Sequence, residues 1–151
     1  MADYVQLDYT SNAGDTYYIK FYNFLDEEVP RRLIGEAELE RSILGMNYSS
    51  GLSVKHKNLW VINVSVQNKV TANAQKNGAN FNEVQLLKQI YDAWDTDRAN
   101  GLRARITVTD TVLGGGTSYS SFGWFTEPPA YSVVGSYGSG EINAVFSLTE
   151  V

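Results

Sequence analysis

Two stretches within residues 4–22 place an apolar side chain at every second position, as a half-buried β-strand requires. Between them, residues 11–15 are rich in Ser, Asn, Gly and Asp, which tolerate the backbone angles of tight turns. This pattern predicts an N-terminal hairpin over residues 4–22.

The strongest strand pattern lies at residues 59–66, where apolar and polar residues alternate almost without interruption. One side of this strand is apolar and the other carries Asn and Ser, so one face is expected to be buried. Similar alternation predicts strands over residues 102–112, 119–126 and 142–151. A three-glycine turn precedes the second of these, and a Pro-Pro pair is expected to end it.

Two further segments are polar or charged. Residues 26–41 carry charges of both signs and are predicted to form a solvated, charged connection. Within and just beyond it, residues 36–43 alternate in a way that favours a strand, although their composition also suits a helix. Residues 67–80 are polar and are expected to form a flexible loop.

The best helix pattern follows that loop. Asn82 has the character of an N-cap, and Gln85 stands at the capping-box spacing behind it. Apolar residues then recur at helical spacing, which predicts one amphipathic helix of about three turns over residues 82–94. The Asn100-Gly101 pair provides the stop signal.

About seven strands and one helix predict a mainly β fold, either an antiparallel β-sandwich or a flattened barrel flanked by a single α-helix. With 151 residues and no linker or internal repeat, the chain is expected to be a single domain spanning residues 1–151.

Composition narrows the possible functions. The chain has no cysteine and one histidine. This composition excludes a disulfide scaffold, a thiol nucleophile and a metal site with several histidine ligands. Its formal net charge of −5 argues against a duplex-DNA or membrane-surface binder. No apolar run approaches the ~18 residues of a membrane helix, and no signal-peptide pattern opens the sequence.

No catalytic constellation is visible. The acidic residues near Asp95 fail the calcium-loop pattern, because Ala99 and Ile106 occupy ligand positions. His56 lies between two lysines with no nucleophile motif to pair with it. The three-glycine run lacks the ending of a phosphate loop. We therefore expect no enzymatic activity, no metal and no cofactor.

Aromatic residues cluster late in the chain, at Tyr119, Phe122, Trp124, Phe125, Tyr131 and Tyr137. Aromatic rings with polar tips are typical of protein interfaces, and exposed rings also serve as sugar-binding platforms. We favour a mixture of core and protein interface, with a contact surface formed by Tyr119, Trp124, Tyr131 and Tyr137.

The succession of elements resembles the small tail proteins of tailed bacteriophages, closest to the distal-tail, minor-tail and tail-tube group. The resemblance is carried by the strand at 59–66, the helix at 82–94, the strand RITVTD at 105–110, the segment TEPP at 126–129 and the terminal VFSLTEV at 145–151.

The resemblance implies a non-enzymatic virion component, made in the host cytoplasm, that forms a homo-oligomeric ring or stacked tube in the tail. A hexamer is among the expected forms, and other tail proteins are the expected partners. DNA would pass through the ring without specific binding, because an acidic lumen repels it. We expect subunit contacts in the charged connection, at Asp26, Glu27, Glu28, Arg31 and Arg32.

Two functions from other classes stay open. A carbohydrate-binding or capsid-decoration module would use surface Tyr and Trp residues, and its Trp fluorescence would respond to glycans. A small glycan hydrolase would depend on a pair of carboxylates.

Overall fold

The computed structural model describes residues 3–25, 30–35, 56–112, 117–133 and 140–151. Within these ranges the chain forms nine strands and one helix, which confirms the mainly β fold with a flanking helix. In chain order they are β1 (Val5–Thr10), β2 (Thr16–Phe21), β3 (Arg31–Gly35), β4 (His56–Gln67), β5 (Val70–Lys76), β6 (Ala79–Asn82), α1 (Glu83–Ala99), β7 (Ile106–Asp110), β8 (Tyr119–Val133) and β9 (Glu141–Glu150).

All strands join one antiparallel sheet in the order β3-β4-β9-β8-β7-β1-β2-β5-β6. The sheet is strongly curved, because the rings of Phe21 on β2 and Phe146 on β9 lie 5.5 Å apart although three strands separate β2 from β9. Just after β2, the N–H of Leu25 donates to the carbonyl of Asn63 on β4 at 2.9 Å. This curvature produces the predicted sandwich or flattened barrel.

The core follows the predicted alternation. The apolar face of β4, formed by Trp60, Ile62, Val64 and Val66, is buried, and so are the alternating apolar residues of the N-terminal hairpin. On β8, Gly123 lies beneath Trp60. A Cβ atom at Gly123 would approach Val108 Cγ2 to 3.2 Å and the Trp60 ring to 3.5 Å, so a side chain there would crowd the core.

The helix covers the concave face of the sheet. Asn82 is its N-cap as predicted, and Asn82 Oδ1 accepts from the Gln85 N–H at 3.1 Å. The helix continues beyond the predicted end at Trp94 to Ala99, and it stops before Gly101, which has a φ of 77°. Its buried side chains include Leu86, Leu87, Ile90 and Trp94.

The prediction of a flexible loop over residues 67–80 is wrong, because this segment forms most of the β5–β6 hairpin. Asn77 and Gly78 have φ angles of 52° and 82°, the left-handed conformation that tight hairpin turns require. The strands are polar because β5 and β6 lie at the end of the sheet and expose much of their surface.

Two other boundaries differ from the prediction. The strand expected over residues 102–112 is limited to β7, and Leu102 is exposed rather than buried. The Pro128-Pro129 pair does not end β8, which continues to Val133. Register shifts on both sides of Glu127 place the prolines, which lack an N–H, outside the regular ladder.

Part of the charged connection lies in the described residues, where it forms the edge strand β3. Residues 26–29 and 36–55 lie outside the described residues, and so does the strand expected over 36–43.

The N-cap offers a direct test of the helix boundary. Replacing Asn82 by Ala removes the acceptor for a first-turn N–H and is expected to lower the free energy of unfolding by about 1 kcal/mol. Asn82→Asp keeps that acceptor and is expected to stay close to wild type in urea denaturation. Equal stability of the Ala and Asp variants would contradict this role.

Candidate subunit-contact site

Arg31, one of the residues expected at a subunit interface, lies inside the fold. Its Nε is 3.0 Å from Oδ2 of Asp110, which is fully buried at the end of β7. Trp60 Nε1 donates to the same oxygen at 2.8 Å, and the guanidinium of Arg31 stacks 4.2 Å from the Tyr119 ring centre. Because the Arg31 side chain is 12% exposed, it has little surface to offer a neighbour.

Tyr119 continues this buried polar network. Its hydroxyl donates to Glu150 and accepts from Asn58 Nδ2 at 2.9 Å. Burial raises the pKa of Tyr119, and the hydrogen bond to Glu150 adds to that shift. Burial also opposes ionisation of Glu150, but the hydrogen bonds it accepts from Tyr119 and Asn58 outweigh burial and hold its pKa below the ordinary value. Tyr119 therefore fixes strands together rather than presenting a bare ring.

The other residues of the predicted charged contact are Arg32 and three acidic residues that precede it in the sequence. Arg32 occupies a backbone position on the edge strand β3, paired with β4. Asp26, Glu27 and Glu28 lie outside the described residues. The expected contact of Arg31 and Arg32 with these acidic residues therefore stays a prediction.

The residues of the predicted aromatic contact surface lie in different environments. Trp124 is 44% exposed on the convex face of the sheet, whereas Tyr131 is half-buried with Lys88 Nζ 5.4 Å from its ring centre. Burial strongly raises the pKa of Tyr131, and the negative charge of Asp92 contributes to the shift. Tyr137 lies outside the described residues.

Trp124 belongs to a larger apolar patch on the convex face. The strand registers place outward-facing residues of β4, β9 and β8 on this face, and several are large and exposed. We call this set the outer patch, and it comprises Val61, Phe122, Trp124 and Val145.

Beside the outer patch lies an open cleft of about 390 Å³, lined by Arg103, Arg105 and Phe122 among others. The guanidinium of Arg105 stacks on Phe122 at 4.5 Å, and both arginines are exposed. Among the described residues, neither arginine forms an ion pair with a carboxylate. We call this the basic cleft.

An acidic groove of about 280 Å³ runs between α1 and the β1–β2 turn, with Asp15 and Asp92 in its lining. Asp92 is exposed, and Asp15 accepts a hydrogen bond from Asn77 Nδ2 at 3.1 Å. The acidic groove and the basic cleft both include Ser11 and Asp97 in their linings, so the β1–β2 turn forms the wall between them.

This wall is held in place by the buried carboxylate of Asp97. Its Oδ2 accepts from the Tyr9 hydroxyl and, at 3.0 Å, from the Asn12 N–H. Burial and the bond to Asp97 raise the pKa of Tyr9 well above its ordinary value, so this hydroxyl keeps its proton. The turn is therefore tied to the C-terminal part of the helix, which sets the separation of the two charged openings.

Arg103 and Arg105 alternate with apolar residues in the strand predicted over residues 102–112, but no sequence motif connects them with a site. Their spacing of two residues was the available signal, since alternate residues share one face of a strand. Asp15 and Asp92 are far apart in sequence, and no local pattern joins them.

Across the described ranges, no group of three or more Asp, Glu or His residues could hold a metal ion. In the same part of the chain, no helix is both long and apolar enough to span a membrane.

No protein-family model, curated protein or solved structure matches the chain. A functional assignment therefore depends on its own residues and surfaces.

Removing the carboxylate of Asp110 tests the buried network. Asp110→Ala leaves the Arg31 cation and the Trp60 N–H without their partner, and is expected to cost about 3–5 kcal/mol of unfolding free energy. The double variant Arg31→Met/Asp110→Ala removes both charges and is expected to recover part of that loss in urea denaturation. A single variant within about 1 kcal/mol of wild type would show that the ion pair does not support the fold.

Proposed function

We propose that this chain is a non-enzymatic structural component of the tail of a tailed bacteriophage. Copies of the chain assemble into a ring or tube segment that connects the tail tube with the baseplate or tip and lets DNA pass. Its place is the tail of the virion, and its partners are itself and other tail proteins.

The observation that carries this proposal is that two sheet edges are open in the part of the chain that the structure describes. Among the described residues, β3 hydrogen-bonds only to β4 and β6 only to β5. An unpaired edge presents backbone donors and acceptors that readily pair with another chain. A ring offers a closed arrangement in which each subunit can cover the edges of its neighbours.

The outer patch supports assembly independently. Phe122 and Trp124 are each 44% exposed, and Val61 and Val145 extend the same face across neighbouring strands. Large aromatic residues on a convex sheet face are typical of protein interfaces, where burial of apolar area gives most of the binding energy.

The order of the elements supports the tail assignment, because it resembles the distal-tail, minor-tail and tail-tube group. The net charge of −5 suits a lumen past which DNA slides without adhering, since like charges repel.

Trp124 favours one second candidate. An exposed indole beside Phe122 could stack on a sugar ring, as in a carbohydrate-binding or capsid-decoration module. This function requires the ring to remain accessible, whereas the assembly function requires it to be covered.

Light scattering on a sizing column, with negative-stain images of the same fractions, tests the proposal. Wild type is expected to form particles with a central hole. Trp124→Glu places a charge in the outer patch and is expected to shift the particles toward monomer. Tyr22→Glu is the matched control, because Tyr22 is 36% exposed but follows the interior strand β2, outside the outer patch and on neither sheet edge, and it should assemble as wild type does.

Monomers at every concentration, with Trp fluorescence quenched by glycans, would contradict the assembly function and favour the carbohydrate-binding one. Equal loss of assembly in both variants would show that the outer patch has no special role.

A further inference from the structure

The basic cleft and the acidic groove carry an inference that deepens the proposed function and depends on it. Arg103 and Arg105 line the basic cleft on one side of the β1–β2 turn, and Asp15 and Asp92 line the acidic groove on the other side. Asp97 holds the turn between them, and within the described ranges no ion pair joins these arginines to these aspartates.

We propose that the basic cleft of one copy receives the acidic groove of a second copy, with Arg103 and Arg105 facing the partner subunit's Asp15 and Asp92. The contact joins two different surfaces of the same chain. It can therefore repeat from copy to copy, as a ring or tube requires.

Within the described ranges, the lack of a carboxylate partner for the two arginines supports this choice of partner. Arg31 forms an ion pair with Asp110, and Arg98 forms one with Asp95 at 2.9 Å. In contrast, Arg103 and Arg105 lie at one opening with no carboxylate partner among the described residues. A chain with net charge −5 offers an excess of carboxylates to such a cleft whenever copies meet.

The geometry also gives the cleft a preference for planar anions. The Cζ atom of Arg105 lies over the Phe122 ring, 4.5 Å from its centre, and the Arg105 side chain is exposed. A guanidinium edge binds a carboxylate through two parallel hydrogen bonds. The stacked arginine therefore suits aspartate side chains better than an unsupported lysine would.

The outer patch is next to this contact and strengthens it. Phe122 belongs both to the patch and to the lining of the basic cleft, so a copy seated on the cleft also approaches the exposed aromatic rings. Opposite charges then set the register of the two copies, and apolar burial provides most of the affinity.

A charge-swap experiment with the full chain tests the proposal. The variant Arg103→Glu/Arg105→Glu makes both openings acidic, and Asp15→Lys/Asp92→Lys makes both basic. Each variant alone is expected to need at least ~10-fold more protein for half-assembly than wild type, because like charges would face each other. An equimolar mixture of the two restores opposite charges at every contact and is expected to recover assembly, measured by light scattering.

Matched controls change the net charge by the same amount elsewhere. Lys69→Glu/Lys88→Glu matches the first variant, and Asp3→Lys/Glu127→Lys matches the second, because all four residues are exposed and lie outside both openings. These controls are expected to assemble as wild type does. Recovery in the mixture also shows that both charge-reversed chains are folded.

Three outcomes would overturn the proposal, and they differ in what they leave standing. If wild type forms rings and either charge-reversed variant does so equally well, the contact is wrong but the proposed function stands. If the controls lose assembly to the same extent, net charge rather than this contact is responsible, and if the mixture fails to recover, these arginines do not face these aspartates. If wild type remains monomeric, both the contact and the proposed function fall.

Discussion

The buried ion pair between Arg31 and Asp110 is the constraint on which the rest of the structure depends. Arg31 belongs to the edge strand β3 and Asp110 to β7, and three strands separate them in the sheet. At about 4.8 Å per strand, a flat sheet would hold β3 and β7 about 19 Å apart, beyond the reach of one side chain. The pair can form only because the sheet curves, and the same curvature encloses the core against α1.

This curvature also determines which surfaces are left over. The apolar side chains of alternating positions face inward. In the part of the chain that the structure describes, β3 does not pair with β6, so two strand edges remain, and Phe122 and Trp124 stay exposed on the convex face. A second buried carboxylate, Asp97, fixes the turn that separates the basic cleft from the acidic groove. Buried polar contacts thus hold the shape, while exposed apolar and charged surfaces face outward, where the proposed assembly would use them.

Sequence alone could predict the elements with strong local patterns. The buried face of β4, the N-terminal hairpin and the Asn82 cap all follow from alternation or capping rules, and all are present. The β5–β6 hairpin was missed because its strands are polar, although Asn77-Gly78 is a typical hairpin signal. Arg31 was interpreted as a surface residue because its partner lies 79 positions away in the sequence, and no local rule connects such residues. The charged openings could not be predicted for the same reason.

Hydrogen–deuterium exchange at low and high protein concentration tests most directly whether copies of the chain cover these open surfaces. If copies cover these surfaces, amides of β3, β6 and the β1–β2 turn exchange more slowly at high concentration, while buried amides of α1 exchange equally slowly in both samples. Identical exchange at β3, β6 and the turn across the whole concentration range would rule out this covering, because these surfaces would then remain open to solvent.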